Sequence, residues 1–140
     1  MTSPTPAVLV EAFAAGPCRG NGAAVVLLDQ PIGDGGLQAI ARSLNQSETA
    51  FLLHQQDRWC LRWFTPTCEV PLCGHATLAA LLALGHWQVL EAGQPLLLWT
   101  RSGPLSVQLG PPGEPTQASS GSVVLPSAGL LAAEPSPPLI

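Results

Sequence analysis

From Ala76 to Leu84 the chain reads Ala-Thr-Leu-Ala-Ala-Leu-Leu-Ala-Leu, apolar with no polar stripe at helical spacing. Such a segment predicts a helix buried on every side. Gly85 is the expected stop, because glycine adopts the left-handed conformation at low cost. Cys73, Gly74 and His75 stand at its start. The first turn of a helix has unpaired backbone N–H groups and a partial positive charge. The segment therefore predicts a buried helix whose polar end can receive an anion. The alternative is a core helix that happens to begin with a cysteine and a histidine.

Shorter apolar runs flank it. Val8 to Phe13 and Ala23 to Leu28 read as strands, the second of the fully buried kind. Leu37, Ile40, Ala41 and Leu44 share one helical face, which predicts a helix from Asp34 or Gly35 to about Leu44 with Asn45 as its stop. Ser47 to Leu53 and Trp59 to Phe64 read as a hairpin around a polar turn at Gln55 to Arg58. Thr65-Pro66-Thr67 ends that hairpin, and Glu69 to Leu72 leads into the buried helix. Leu96 to Thr100 and Pro104 to Leu109 predict a second hairpin, with Ser102-Gly103 in its turn.

The pattern divides the chain into a frayed segment 1–7, a folded part 8–109 and a proline- and serine-rich tail 110–140. Within the tail only Val123-Val124-Leu125 has strand character. The expected class is α+β, with strands wrapped around one apolar helix.

Composition narrows the function. The chain has 140 residues, 46% hydrophobic and 10% charged, with a net charge of −4. That is enough for one core. It carries no basic patch for nucleic acid: lysine is absent and the arginines are scattered. No run has membrane-spanning length and no signal peptide precedes Val8, so a cytoplasmic protein is expected. Cys18, Cys60, Cys68 and Cys73 form no C-x-x-C pair and read as reduced thiols. Cys68, Cys73 and His75 are the metal-ligating types in one stretch, but their spacing fits no common zinc pattern, and no metal is expected.

Three polar patches fall at element ends. Arg19-Gly20-Asn21-Gly22 is a glycine-flanked loop that could cradle an anion or be a plain turn. Asn45 to Thr49 places Glu48 at a helix-to-strand junction, as a general base or an exposed glutamate. Cys73-Gly74-His75 stands where the helix dipole would lower the pKa of a thiol or an imidazolium. An anion cradle, a carboxylate and an imidazole or thiol suit proton abstraction beside a carboxylate, followed by reprotonation elsewhere.

Glu11-Ala12-Phe13, Arg19-Gly20-Asn21, Asn45 to Phe51, Leu61 to Pro66 and Glu69 to Ala79, in this order, resemble the PhzF-type phenazine-biosynthesis-like family. The resemblance implies a diaminopimelate epimerase-like fold. Each of two similar halves is a curved, mostly antiparallel sheet around a central helix. It implies an isomerase that moves a proton without metal or organic cofactor, acting on a small carboxylate-bearing substrate. Glu48 matches the family's catalytic acid/base and His75 its active-site histidine. Arg19, Gly20, Asn21, Cys73 and Gly74 fall at substrate-binding positions. Asn21-Gly22 replaces the family's asparagine-proline. The family's second half supplies an aspartate, a serine and a second helix start, and residues 110–140 contain no match for them. The chain thus resembles the first half alone, with impaired activity expected. Pairing into a homodimer could replace the missing wall. The competing readings are a non-catalytic protein-interaction module and a small-anion binder.

Overall fold

The computed structural model describes residues 5–12, 21–91, 93–109 and 121–124. Two helices and eight strands follow in the order β1 (Ala7–Ala12), β2 (Asn21–Leu28), α1 (Asp34–Leu44), β3 (Glu48–Gln55), β4 (Arg58–Phe64), β5 (Glu69–Val70), α2 (Gly74–His86), β6 (Pro95–Thr100), β7 (Gly103–Leu109) and β8 (Gly121–Val124). The strands make one sheet in the order β1-β2-β3-β4-β6-β7-β8, with β5 paired to β4. Most neighbours are antiparallel, but β2–β3 and β4–β6 are parallel. Each parallel pair is joined through a helix, as a crossover requires. The class is α+β, as expected.

The two helices lie on opposite faces. Along β3, Ala50 and Leu52 belong to the core cluster under α2, whereas Phe51 belongs to the cluster under α1. This follows from the two-residue alternation of a strand. On the α1 side, Leu37 and Ala41 are buried against Val26, Phe51 and Phe64. Phe51 and Phe64 meet edge to face at 5.6 Å. On the other side, α2 touches β1, β2, β3, β7 and β8. Strands from both ends of the sheet meet one helix, so the sheet curls around it. From His75 to Gly85 no residue of α2 is exposed.

The first hairpin turns at Gln56 and Asp57, both left-handed at φ 55° and 61°, the backbone that matches strand twist. Asn45 ends α1 in the left-handed conformation, φ 50°, as expected, and its N–H bonds to the Ala41 carbonyl. Gly85 does not end α2. The helix runs on to His86, and Gln88 takes the left-handed conformation, φ 61°. The Leu84 carbonyl accepts from Val89 N at 2.9 Å, which turns the chain so that Leu90 enters the core. Packing of Leu90, not glycine, sets this end. The expected strand at Val123 is present as β8, the last strand of the sheet, paired to β7. No helix among the described residues is long and apolar enough to cross a membrane.

Candidate active site

Parallel pairing sets Ala23 of β2 beside Glu48, the first residue of β3. Glu48 lies two residues before Ala50 and so shares the α2 side of the sheet. The first turn of α2 meets it there. Glu48 Oε1 and His75 Nε2 are 2.9 Å apart, with side chains 17% and 5% exposed. Cys73 Sγ lies 3.4 Å from His75 Nδ1, on the other side of the ring. Neither Glu48 Oε1 nor His75 Nε2 has a well-directed hydrogen bond among the described residues, although both atoms are buried. The two atoms are thus held together by charge rather than by a well-directed hydrogen bond.

The helix start adds donors. The first cap bond runs from Thr77 N to the Cys73 carbonyl at 3.0 Å. The N–H groups of Gly74, His75 and Ala76 precede it and have no partner within the helix. Cys73 does not cap them with its side chain, and the first turn holds no acid. Gly74 is exposed, and among the described residues nothing lies within 4 Å of where its Cβ would be. Gly74, the first of the three, therefore borders open space beside the Glu48–His75 pair.

Burial opposes charge on the His75 ring. The neighbouring Cys73 sulfur and Glu48 carboxylate outweigh it and push the pKa up to about 9. The helix dipole on its own would lower it. That expectation fails for the imidazole, because two flanking groups act at contact distance while the dipole is a partial charge.

The segment entering α2 is tied from several sides. Arg62 grips Glu69 with two bonds of 2.8 Å and Asp34 with one of 2.9 Å. Arg62 hydrogen-bonded to Asp34 lowers that carboxyl's pKa, and Glu69 raises that of the guanidinium. Ser102 Oγ donates to the Pro71 carbonyl at 2.6 Å, and Thr77 Oγ1 donates to that of Cys73 at 2.7 Å. None of these supports was foreseen. Thr77, four residues after Cys73, carries a local signal for a side chain bonding back along a helix. Ser102 lies 31 residues from Pro71 and carries none.

The structure therefore brings together Glu48, Cys73, Gly74 and His75. Cys68 is exposed near Thr65 and stands apart from them. Asn21 opens β2, so its backbone stands at the same end of the sheet. Arg19 and Gly20 lie outside the described residues. A Cβ at Gly22 would come within 2.7 Å of Gln46 Oε1, the movable end of a flexible side chain.

Known proteins resemble this chain in sequence and in fold. An uncharacterized isomerase of Pseudomonas aeruginosa is 52% identical over 100 residues, covering 71% of this chain and 38% of the relative. The human phenazine biosynthesis-like domain-containing protein is 45% identical over 108 residues, again covering 71% of this chain and 37% of the relative. A crystal structure from Pseudomonas aeruginosa, described as a predicted epimerase, superposes with a TM-score of 0.69 at 32% identity, covering 79% of this chain and 40% of that one. The chain thus spans under two-fifths of the length of these two curated relatives. The model of the phenazine biosynthesis-like proteins, PhzC-PhzF, matches residues 10–126, and the chain belongs to that isomerase- and epimerase-like family.

Proposed function

We propose that this chain carries the proton-transfer wall of an isomerase acting on a small carboxylate-bearing substrate. The observation that carries the reading is the Glu48–His75 contact of 2.9 Å, both atoms buried without a directed hydrogen bond, beside the free donors of the α2 start. The substrate carboxylate accepts from the N–H groups of Gly74, His75 and Ala76. Glu48 removes the proton from the neighbouring carbon, and the negative charge that develops on the carboxylate is stabilised by the same donors. The His75 imidazolium faces Glu48 and balances its charge before the transfer. Glu48 then returns the proton to a different carbon or to the other face. No other reactant is consumed.

These residues form one side of the pocket. We take the facing side to come from outside this span or from a second copy of the chain. Turnover by this chain alone is expected to be slow, because water on the open side weakens the electrostatic terms.

The test is proton exchange in heavy water, followed by NMR over a panel of small carboxylic acids. The parent should exchange a carbon-bound proton next to a carboxylate. Glu48→Gln should lower that rate by about 100- to 10,000-fold. Equal rates in parent and variant would remove Glu48 from the role.

A further inference from the structure

Glu48, Cys73 and His75 each offer one ligand atom, and these atoms all lie within 4.8 Å of one another. The set is one carboxylate oxygen, one thiol sulfur and one imidazole nitrogen. Magnesium and calcium take oxygen donors, whereas sulfur with nitrogen selects zinc and its neighbours. Donors around a tetrahedral zinc ion stand about 3.3–3.8 Å apart, given bonds of about 2.0–2.3 Å. To hold an ion the widest pair must close by about 1.0–1.5 Å, and the Glu48–His75 pair, now 2.9 Å apart, must open slightly. The His75 side chain is only 5% exposed, and its Nε2 atom faces Glu48 Oε1 at 2.9 Å, so without an ion these two atoms hold each other. A metal takes one ring nitrogen only, so Cys73 or the ring must change rotamer. Among the described residues the Cys73 sulfur has no hydrogen-bond partner other than His75 to resist this.

We infer that Glu48, Cys73 and His75 bind one zinc-class divalent ion, leaving one coordination position open. As the ion binds, the Cys73 thiol and the ring each give up a proton to solvent. The bound ion ties up the carboxylate and the imidazole that proton transfer uses. Zinc then acts as a reversible blocker of the site, a consequence that rests on the function proposed above.

Cobalt(II) titration reads the site without any turnover. In the chelator-treated parent, one equivalent per chain should give a sulfur-to-cobalt charge-transfer band and the intense visible bands of tetrahedral cobalt. A chain with Cys18, Cys60 and Cys68 replaced by serine should keep them. Cys73→Ser should lose the charge-transfer band, and Glu48→Gln and His75→Asn should weaken binding at least tenfold. Far-UV circular dichroism of each variant separates loss of a ligand from loss of fold. Absence of the charge-transfer band in the parent, or its survival in Cys73→Ser, would overturn the proposal. Because the readout is spectroscopic, the metal site and the isomerase reading can fail independently. With turnover in hand, stoichiometric zinc should abolish exchange and a chelator restore it, and full exchange with zinc bound would overturn the blocking role.

Discussion

The two helices cross the same sheet and live under different rules. Helix α1 lies on an open face. It buries Leu37 and Ala41, exposes Ala39, Arg42 and Ser43, and carries Asp34 in its first turn to meet Arg62. Helix α2 is enclosed by the curl of the sheet and exposes nothing from His75 to Gly85. An enclosed helix has no side on which to place polar chemistry. Its polar groups can only stand at an end, and there the free N–H groups add to them. The site is therefore at the start of α2, and α1 has no counterpart.

The largest effect should come from forcing one rule on the other helix. Ala80 is fully buried in α2, and Ala39 is exposed in α1. Ala80→Glu places a charge in the apolar interior and should cost at least about 4 kcal/mol, enough to prevent folding. Ala39→Glu should change stability by less than about 0.5 kcal/mol. Urea unfolding followed by circular dichroism measures both. Similar midpoints for the two variants would mean that α2 is not enclosed in solution.

The same contrast explains what the sequence disclosed. Amphipathic α1 was legible at both ends, since Leu37, Ile40, Ala41 and Leu44 set its phase and Asn45 its stop. The existence of α2 was equally plain, but its C-terminus was not. A helix apolar all round gives no phase, and Gly85 misled because Leu90, five residues on, decides where the chain turns. Glu48, Gly74 and His75 were legible through family motifs, and local pattern alone left each with a plain alternative. The parallel pairings β2–β3 and β4–β6 were not read, because strand direction across a helical crossover leaves no mark on residue alternation. The Arg62–Glu69–Asp34 network joins β4 to β5 and to the start of α1, contacts between separate elements that leave no local mark either.

The second contrast is in charge. The Arg62 ion pairs under α1's start sit partly in water, whereas His75 at α2's start is buried between Glu48 and Cys73. The folded pKa of His75, about 9, lies above its ordinary value of 6.5. Between these values the native state holds a proton that the unfolded chain has released. Its stabilisation is complete below about pH 6.5 and is lost as pH rises through about 9. Thermal unfolding should show the parent losing stability across that window relative to His75→Asn. A constant difference between the two from pH 6 to 10 would show that the ring is not held as an imidazolium.

The smallest effect distinguishes how the helices end. Asn45 and Gln88 follow α1 and α2 with nearly the same left-handed backbone, φ 50° and 61°. Asparagine tolerates this conformation through its short polar side chain, whereas glutamine has no such relief. Asn45→Gly should be close to neutral, since the gain in backbone ease is offset by the freer unfolded chain. Gln88→Gly should stabilise by about 0.5 kcal/mol, because more strain is released at that position. The end of α2 keeps its strained glutamine since burial of Leu90, worth about 2 kcal/mol, holds the turn regardless. Leu90→Ala would remove that hold. In its background Gln88→Gly should help less, because a loosened turn no longer enforces the strain. An undiminished benefit of Gln88→Gly in the Leu90→Ala chain would show that the two positions are not coupled, and that the backbone alone ends α2.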